Sequence, residues 1–206
     1  MSEIYLEVNG KRYKGWTNVK VSKSLENFAG QFSFSSTVKE NASLVVQNDL
    51  KLQDEVAVYI DETKIMTGYI EDLNISYSAT NHSISVAGRD KTGDLIDSSI
   101  RTLKSYNISD FIVLIKTILS DNGYNNIEVI NVTGDTLTME EEALGLSVEA
   151  TQDETIAQFL QKYAKKVQVL LTTNEDGNIV VTRESESVLL GQLVNSATDR
   201  DWETEL

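Results

Sequence analysis

Two groups of residues in the 206-residue chain could supply catalytic side chains or a transition-metal ligand. The run Glu140-Glu141-Glu142 could provide the acid and the base or nucleophile of a glycosidase. That role needs two carboxylates in one cleft with pKa values pushed apart, whereas consecutive glutamates in a polar loop are usually solvated. The single histidine, His82, has no second histidine or cysteine with which to bind a transition metal. We therefore expect neither group to form a site.

The segment 174–178, Asn-Glu-Asp-Gly-Asn, superficially resembles a calcium-binding loop. An EF-hand loop needs further oxygen ligands and a glutamate at its twelfth position. The pair Asp176-Gly177 is typical of a β-hairpin turn, which accounts for the whole segment. The sequence contains no cysteine, and it has no glycine-rich phosphate loop, HExxH or GxSxG motif. It therefore predicts no catalytic, cofactor-binding or metal-binding residue, and we expect the protein not to be an enzyme.

The charge of the chain excludes other classes of function. The net charge is −14, with −4 in residues 1–97 (10 basic, 14 acidic) and −10 in residues 98–206 (8 basic, 18 acidic). Such a surface repels phosphate backbones, so we expect no specific nucleic-acid binding.

The amino terminus lacks the basic and apolar regions of a secretory signal. The densest apolar run, Phe111 to Leu119, is too short to span a bilayer. We expect a soluble protein without membrane insertion.

The first 97 residues have the twofold alternation of β-strands. Asn9-Gly10 predicts a tight hairpin between Ile4–Val8 and a return strand at Lys11-Arg12-Tyr13. Alternating apolar residues predict the further strands Trp16–Leu25, Phe28–Ser35, Val56–Ile60, Lys64–Tyr77 and His82–Ala87. Six or so strands with short turns and no helical pattern predict a compact antiparallel barrel or sandwich.

The spacing of apolar residues changes within Gly88–Asp97, from the twofold alternation of strands to the three- and four-residue spacing of helices. There, Gly88 and Gly93 are expected to allow turns and Asp94 to cap a short helical turn. Beyond this segment Asn107 is a predicted helix cap, and Gly123 fits the left-handed position that ends the same helix. The predicted apolar face of this helix consists of Ile108, Phe111, Leu114, Ile115 and Ile118.

A second helix is predicted after the capping box Thr151-Gln152-Asp153-Glu154. Its apolar side chains would be Ile156, Phe159, Leu160, Tyr163 and Ala164. Strands are predicted at Ile127–Val132, Val167–Thr173 and Ile179–Thr182, the last two joined by the Asp176-Gly177 turn. The second half of the chain therefore predicts a small α+β unit.

Four stretches together resemble one known family through their order and spacing. They are Val8–Tyr13 with Gly15-Trp16, Val19–Glu26 with Ala29–Phe32, Thr67–Asp72 continuing to Gly88–Asp97, and Asp153–Thr155 through Leu170–Thr173, Asp176–Asn178 and Val181–Arg183. By these stretches the chain resembles the baseplate hub protein of Mu-like contractile-tailed phages. That family is related to late-control-type tail proteins and to the hub-like part of type VI secretion spikes.

The resemblance implies an architecture and a place in the virion. It implies a tube-like β-barrel domain at residues 1–97 and a small α+β domain at 98–186. Residues 187–206 would start a further, missing tube-like domain or form a disordered tail, so we expect either a fragment of a longer protein or a C-terminally shortened homologue. Family members are homotrimers that form a ring between the tail tube and the central spike. We therefore expect a mainly β protein of the phage tail baseplate, assembled in the bacterial cytoplasm with spike, tube or baseplate proteins.

Two other functions stay open from the sequence. The chain could be a tail-tip module that binds or hydrolyses cell wall, for which Tyr13 and Trp16 are candidates for an aromatic platform. At strand spacing, such aromatic residues belong more often to a core or an interface. The chain could also be a component of a type VI secretion spike.

Overall fold

The computed structural model describes residues 3–24, 27–39, 50–77, 81–101, 103–140 and 147–183. The described helices are α1 (Gly93–Asp97), α2 (Phe111–Asn122) and α3 (Ile156–Lys166). The first seven strands are β1 (Ile4–Val8), β2 (Lys11–Tyr13), β3 (Asn18–Ser22), β4 (Gln31–Lys39), β5 (Glu55–Ile60), β6 (Thr63–Tyr77) and β7 (Asn81–Asp90). They are followed by β8 (Ser105–Tyr106), β9 (Val129–Asn131), β10 (Val148–Glu149), β11 (Leu170–Thr173) and β12 (Ile179–Thr182).

Strands β1 to β7 form one antiparallel sheet with the order β2-β1-β5-β6-β7-β4-β3. The two outermost strands, β2 and β3, do not pair with each other. The described strands therefore form an open sheet, and the predicted closure into a barrel is not supported. Alternation along a strand fixes which face is buried, but it does not determine whether two distant edges meet.

One face of the sheet is buried. Val58 of β5, Ile70 of β6, Val86 of β7 and Phe34 of β4 are fully enclosed and belong to one apolar cluster that runs across the sheet. The opposite, outward face of β4 and β7 includes short side chains such as Ser33 and Ser85, which lie between the buried positions. The period-2 pattern of the sequence is thus the pattern of this half-buried antiparallel sheet.

Several local predictions for the sheet are confirmed. Asn9 and Gly10 both have positive φ angles, 52° and 74°, as a two-residue hairpin turn requires. The long predicted strand is observed as β6, which pairs with β5 on one side and β7 on the other. A bulge between Ile70 and Asp72 leaves Glu71 without a partner in β7.

The expected turn at Gly88 is wrong, because Gly88 lies inside β7 opposite Ile70. A Cβ atom there would collide with the Tyr69 carbonyl oxygen and come within 2.7 Å of Phe32 Cζ. Glycine is required at this position for close packing beside the bulge, and not for a turn.

The second part of the chain packs helices α2 and α3 against a three-stranded sheet of order β11-β12-β9, with β9 parallel to β12. Strands β8 and β10 form a separate pair. The core contains the predicted helix faces, including Phe111, Leu114 and Phe159, and it also takes in Phe28 and Leu95. We call residues 98–183 the α+β unit. The domain boundary at Asp97 stays a prediction.

The predicted helix starts differ from the observed ones. Helix α2 is capped by Asp110, which accepts a hydrogen bond from the Val113 amide, and not by Asn107. Helix α3 is capped by Thr155 in a capping box with Gln158, four residues after the predicted box. Asp94 lies inside α1, whose N-cap is Thr92. The predicted end of α2 at Gly123 is confirmed, with φ of 92°.

Within the described ranges, no helix is long and apolar enough to cross a bilayer. The predictions for residues 187–206 fall outside those ranges.

Candidate assembly surface

The outward face of the large sheet contains a groove of about 470 Å³ where β3, β4, β7 and β6 lie side by side. Ser33, Ala87 and Asp72 are among its lining residues, with Lys20 at the β3 side. Most of the lining residues are polar or charged, and Phe32 is the one large apolar residue among the described lining residues. Such a face suits contact with water or with another polar surface.

Arg89 ties this groove to the segment that follows β7. Its Nε donates to both carboxylate oxygens of Glu71, at 2.8 and 2.9 Å, and its Nη2 also pairs with Asp97 of α1. These hydrogen bonds raise the pKa of Arg89 above its usual value and lower the pKa of Asp97. The arginine thus fixes β6, β7 and α1 relative to one another.

Among the described strands, the large sheet has stretches that pair with a neighbouring strand on one side only. They include the outermost strand β3 and the far end of β4, whose pairing with β3 reaches only to Ser35 while its pairing with β7 continues to Lys39. They also include the far half of β6, because the pairing with β5 reaches only to Tyr69 while the pairing with β7 continues to Tyr77. Leu73 and Ile75 in this far half are partly buried, and Asp72, Asn74 and Ser76 are exposed. Unpaired strand edges are templates for pairing with another chain.

Within β6, only the far half is an edge among the described strands. From Thr63 to Tyr69 this strand lies in the middle of the sheet, with partners on both sides. Strand length was visible in the sequence, but strand order was not.

A buried carboxylate organises the junction after β7. Asp90 is 1% exposed, and its carboxylate accepts hydrogen bonds from the Gly30 amide, the Thr92 amide and the hydroxyls of Thr92 and Thr173. A buried charge with four donors is compensated where it would otherwise be costly. Because Thr173 belongs to β11, Asp90 joins the sheet to the α+β unit.

The β11–β12 turn rests on the outward face of the sheet. Thr67 Oγ1 donates to the Glu175 carbonyl at 2.8 Å, and Lys64 forms an ion pair with Asp176. Lys23 Nζ donates to the Asn174 carbonyl at 3.0 Å, and partial desolvation lowers the pKa of this lysine. The predicted hairpin is confirmed, and in addition it is a docking contact that no local signal in the sequence indicates.

The calcium interpretation of this segment is not supported by its contacts. Asn174 Oδ1 accepts hydrogen bonds from the amides of Asp176 and Asn178, which closes the turn. The Asp176 carboxylate is engaged by Lys64. Across the described residues, no group of three or more histidine, cysteine or acidic side chains is placed to hold a metal ion.

The remaining candidate residues are dispersed. His82 lies in β7 opposite Val38 and Tyr77, and its side chain is not among those described. Glu140 is exposed, and Glu141 and Glu142 fall outside the described ranges. Glu140 borders a cleft of about 460 Å³ in which no other described lining residue is acidic. The described residues therefore bring no pair of carboxylates together there.

The aromatic candidates belong to the core side of the sheet. Tyr13 is 7% exposed, and the Trp16 ring packs edge-to-face on Phe34 with the ring centroids 5.5 Å apart. Trp16 Nε1 donates to the Tyr13 carbonyl at 2.8 Å. These contacts make the pair a structural element of the sheet rather than an exposed sugar-binding platform.

Comparison with known proteins identifies relatives for this arrangement. Residues 3–90, which contain the large sheet, match the family described as Mu phage baseplate assembly protein GpP-like, N-terminal. Over 185 residues the chain is 25% identical to the baseplate hub protein gp44 of Escherichia phage Mu, covering 89% of this chain and 46% of that protein.

Solved structures that resemble the fold include two tail proteins. A prophage MuSo2 tail protein from Shewanella oneidensis has a TM-score of 0.76 and 31% identity, with 90% of this chain and 56% of that chain covered. A tail protein from Neisseria meningitidis has a TM-score of 0.71 and 21% identity, with coverage of 87% and 50%. The chain thus spans about half the length of these relatives.

The fold is that of a phage tail protein, and the similarities support a structural role in the tail baseplate of the virion. Within that class, residues 3–90 match the family described as Mu phage baseplate assembly protein GpP-like, N-terminal. The resemblance to Mu-like hub proteins inferred from the sequence is confirmed.

Proposed function

We propose that the chain is a structural hub protein that forms a homotrimeric ring in the baseplate, between the tail tube and a central spike protein. The match of its large sheet to the Mu baseplate assembly family carries this proposal. The 25% identity to a Mu baseplate hub protein over most of the chain adds to it.

The geometry of the sheet supports self-association. Among the described strands, the open sheet pairs on one side only at β3 and at the far half of β6, and such edges can be completed by a neighbouring copy. Contacts between two different surfaces of one chain close into a ring when the rotation between copies is a whole fraction of a turn. A threefold ring is the smallest such closure beyond a dimer.

We further propose that the chain has no enzymatic activity and binds no cofactor or specific nucleic acid. Its work in the baseplate would be mechanical: it holds tube and spike proteins in register. The net charge of −14 would keep phosphate backbones from adhering as DNA passes.

Light scattering coupled to size-exclusion chromatography tests the ring. We expect the chain at tens of micromolar to elute with three times its monomer mass. Replacing Asn74 and Ser76 together by arginine places two large cations on exposed positions of the far half of β6, and we expect this variant to elute as a monomer.

A matched control separates interface loss from a general charge effect. The double variant Val113→Arg, Ser120→Arg adds the same charge at exposed positions of α2, away from the sheet, and should keep the trimer mass. A wild-type chain that stays monomeric at these concentrations would refute the proposed ring. An unaffected trimer in the β6 variant would instead place the interface elsewhere on the sheet.

A further inference from the structure

The α+β unit is attached to the large sheet at two places whose chemistry differs. At the first, the side chains of Phe28 and Leu95, 4% and 0% exposed, are inserted into the core of the unit. This anchor cannot separate without exposing apolar surface to water. At the second, the β11–β12 turn touches the sheet through polar groups.

The polar attachment is the weaker of the two, because water can replace its contacts when the turn lifts. The side chains of Lys64 and Asp176 in its ion pair are 30% and 49% exposed. Partly exposed ion pairs of this kind contribute modestly to stability, and the hydrogen bond that Thr67, buried while the turn is docked, donates to the Glu175 carbonyl can be replaced by water once the turn lifts. The neighbouring bond from Asn126 Nδ2 to the Tyr69 hydroxyl, 3.2 Å, is also between exposed residues.

Lifting the turn would not leave the buried Asp90 carboxylate without hydrogen-bond donors. Of the four hydrogen bonds that Asp90 accepts, only the one from the Thr173 hydroxyl comes from the α+β unit. The other three come from Gly30 and Thr92, which stay with the sheet and the segment after it. Asp90 thus keeps most of its compensation in either position.

The close fit of the turn depends on one glycine. Gly177 has φ of 76°, and a Cβ atom there would lie 2.9 Å from both the Thr67 carbonyl oxygen and Lys91 Cγ. The turn therefore packs closely against Thr67 of β6 and against Lys91, which follows β7. Any larger residue must lift it from the sheet or shift the residues beneath.

From these observations we propose that the β11–β12 turn is a latch. When it is docked it holds the α+β unit on the outward face of the sheet, and when it lifts the unit pivots about the apolar anchor at α1. A lifted turn uncovers Lys64 and Thr67 of β6 and Lys91, which follows β7. This device is a property of the chain itself and stands apart from the proposed ring.

A distance measurement between the two parts tests the latch. The chain contains no cysteine, so Ser33→Cys on β4 and Lys116→Cys on α2, both exposed, can carry two spin labels without background. Pulsed electron paramagnetic resonance should give one narrow distance distribution for this labelled reference. Gly177→Ala should add a second, displaced population of at least about a tenth of the molecules, because the new Cβ collides with the sheet.

Gly134→Ala is the matched control. Gly134 has nearly the same φ, 77°, yet a Cβ there meets nothing within 4 Å, so this variant has the same backbone strain without the collision. It should keep the narrow reference distribution. Equal distributions for the two variants, whether both narrow or both broadened, would overturn the latch.

A second pair of variants decides the matter if Gly177→Ala fails to fold. Asp176→Asn removes the ion pair of the turn, whereas Asp135→Asn removes an ion pair with Arg183 elsewhere in the α+β unit. The latch predicts that Asp176→Asn broadens the distance distribution, and that about 1 M salt broadens that of the reference, because the charges are screened. A narrow distribution for Asp176→Asn at both low and high salt would overturn it.

Discussion

At the residue scale, the segment after β7 shows how nearby charged groups can have different roles. Arg89 is paired with Glu71 and Asp97, and Asp90 is buried beneath four hydrogen-bond donors. Lys91 pairs with Glu55 at 3.1 Å. The glycines and basic residues of this segment could be mistaken for a phosphate-binding loop. Their contacts instead make it a structural junction.

Gly88 should be intolerant of any side chain. We expect Gly88→Ala to cost about 3 kcal/mol of unfolding free energy, because the added Cβ overlaps the Tyr69 carbonyl oxygen and Phe32. Gly10→Ala meets no neighbour, and should cost only the strain of its positive φ, about 1–2 kcal/mol. Denaturant unfolding of both variants measures the difference. Equal losses would show that close packing at Gly88 is not what requires glycine.

Tyr106 should ionise late in an alkaline titration. Burial, the charge of Asp121 and the hydrogen bond to that carboxylate raise the pKa of Tyr106 to about 12. Because the folded state holds this proton more tightly, its contribution to stability is complete below pH 10 and is lost as the pH rises toward 12. The tyrosinate absorbance of wild type minus that of Tyr106→Phe reports the transition. A midpoint near 10 would contradict the burial of this hydroxyl.

At the element scale, hydrophobic patterns in the sequence predicted most helices and strands. Competing capping motifs led to wrong predictions of where the helices start. Both Thr151-Glu154 and Thr155-Gln158 have capping-box spacing, and the helix uses the second. Thr151 nevertheless donates its amide to the Glu154 carboxylate, so the predicted pair forms a turn just before α3. Two equally good caps four residues apart cannot be ranked from the sequence, because the choice depends on which residues the helix must bury.

The two candidate caps of α3 can be separated by substitution. Thr155→Ala should cost about 1 kcal/mol of unfolding free energy, because the Gln158 amide loses its acceptor. Thr151→Ala keeps the amide bond to Glu154 and should cost less than about 0.5 kcal/mol. Thermal denaturation of both variants provides the comparison. A larger loss for Thr151→Ala would show that α3 starts at the earlier box.

At the scale of the whole molecule, the mainly β and α+β halves were predictable and their arrangement was not. Strand alternation and helix faces recur every few residues, so they are written locally in the sequence. Strand order, the open edges and the docking of the β11–β12 turn on Lys64 and Thr67 join residues about a hundred positions apart. No local pattern encodes those contacts. The sequence therefore allowed the family resemblance to be predicted, but it did not allow the assembly surface to be predicted.

The position of the chain in the phage tail is the central claim, and immunogold electron microscopy tests it most directly. Tails would be purified from the phage or prophage that encodes the chain and labelled with antibodies raised against it. Our account predicts gold particles confined to the baseplate end of each tail. Labelling along the tube, or intact tails that carry no label while the free protein is recognised, would contradict it.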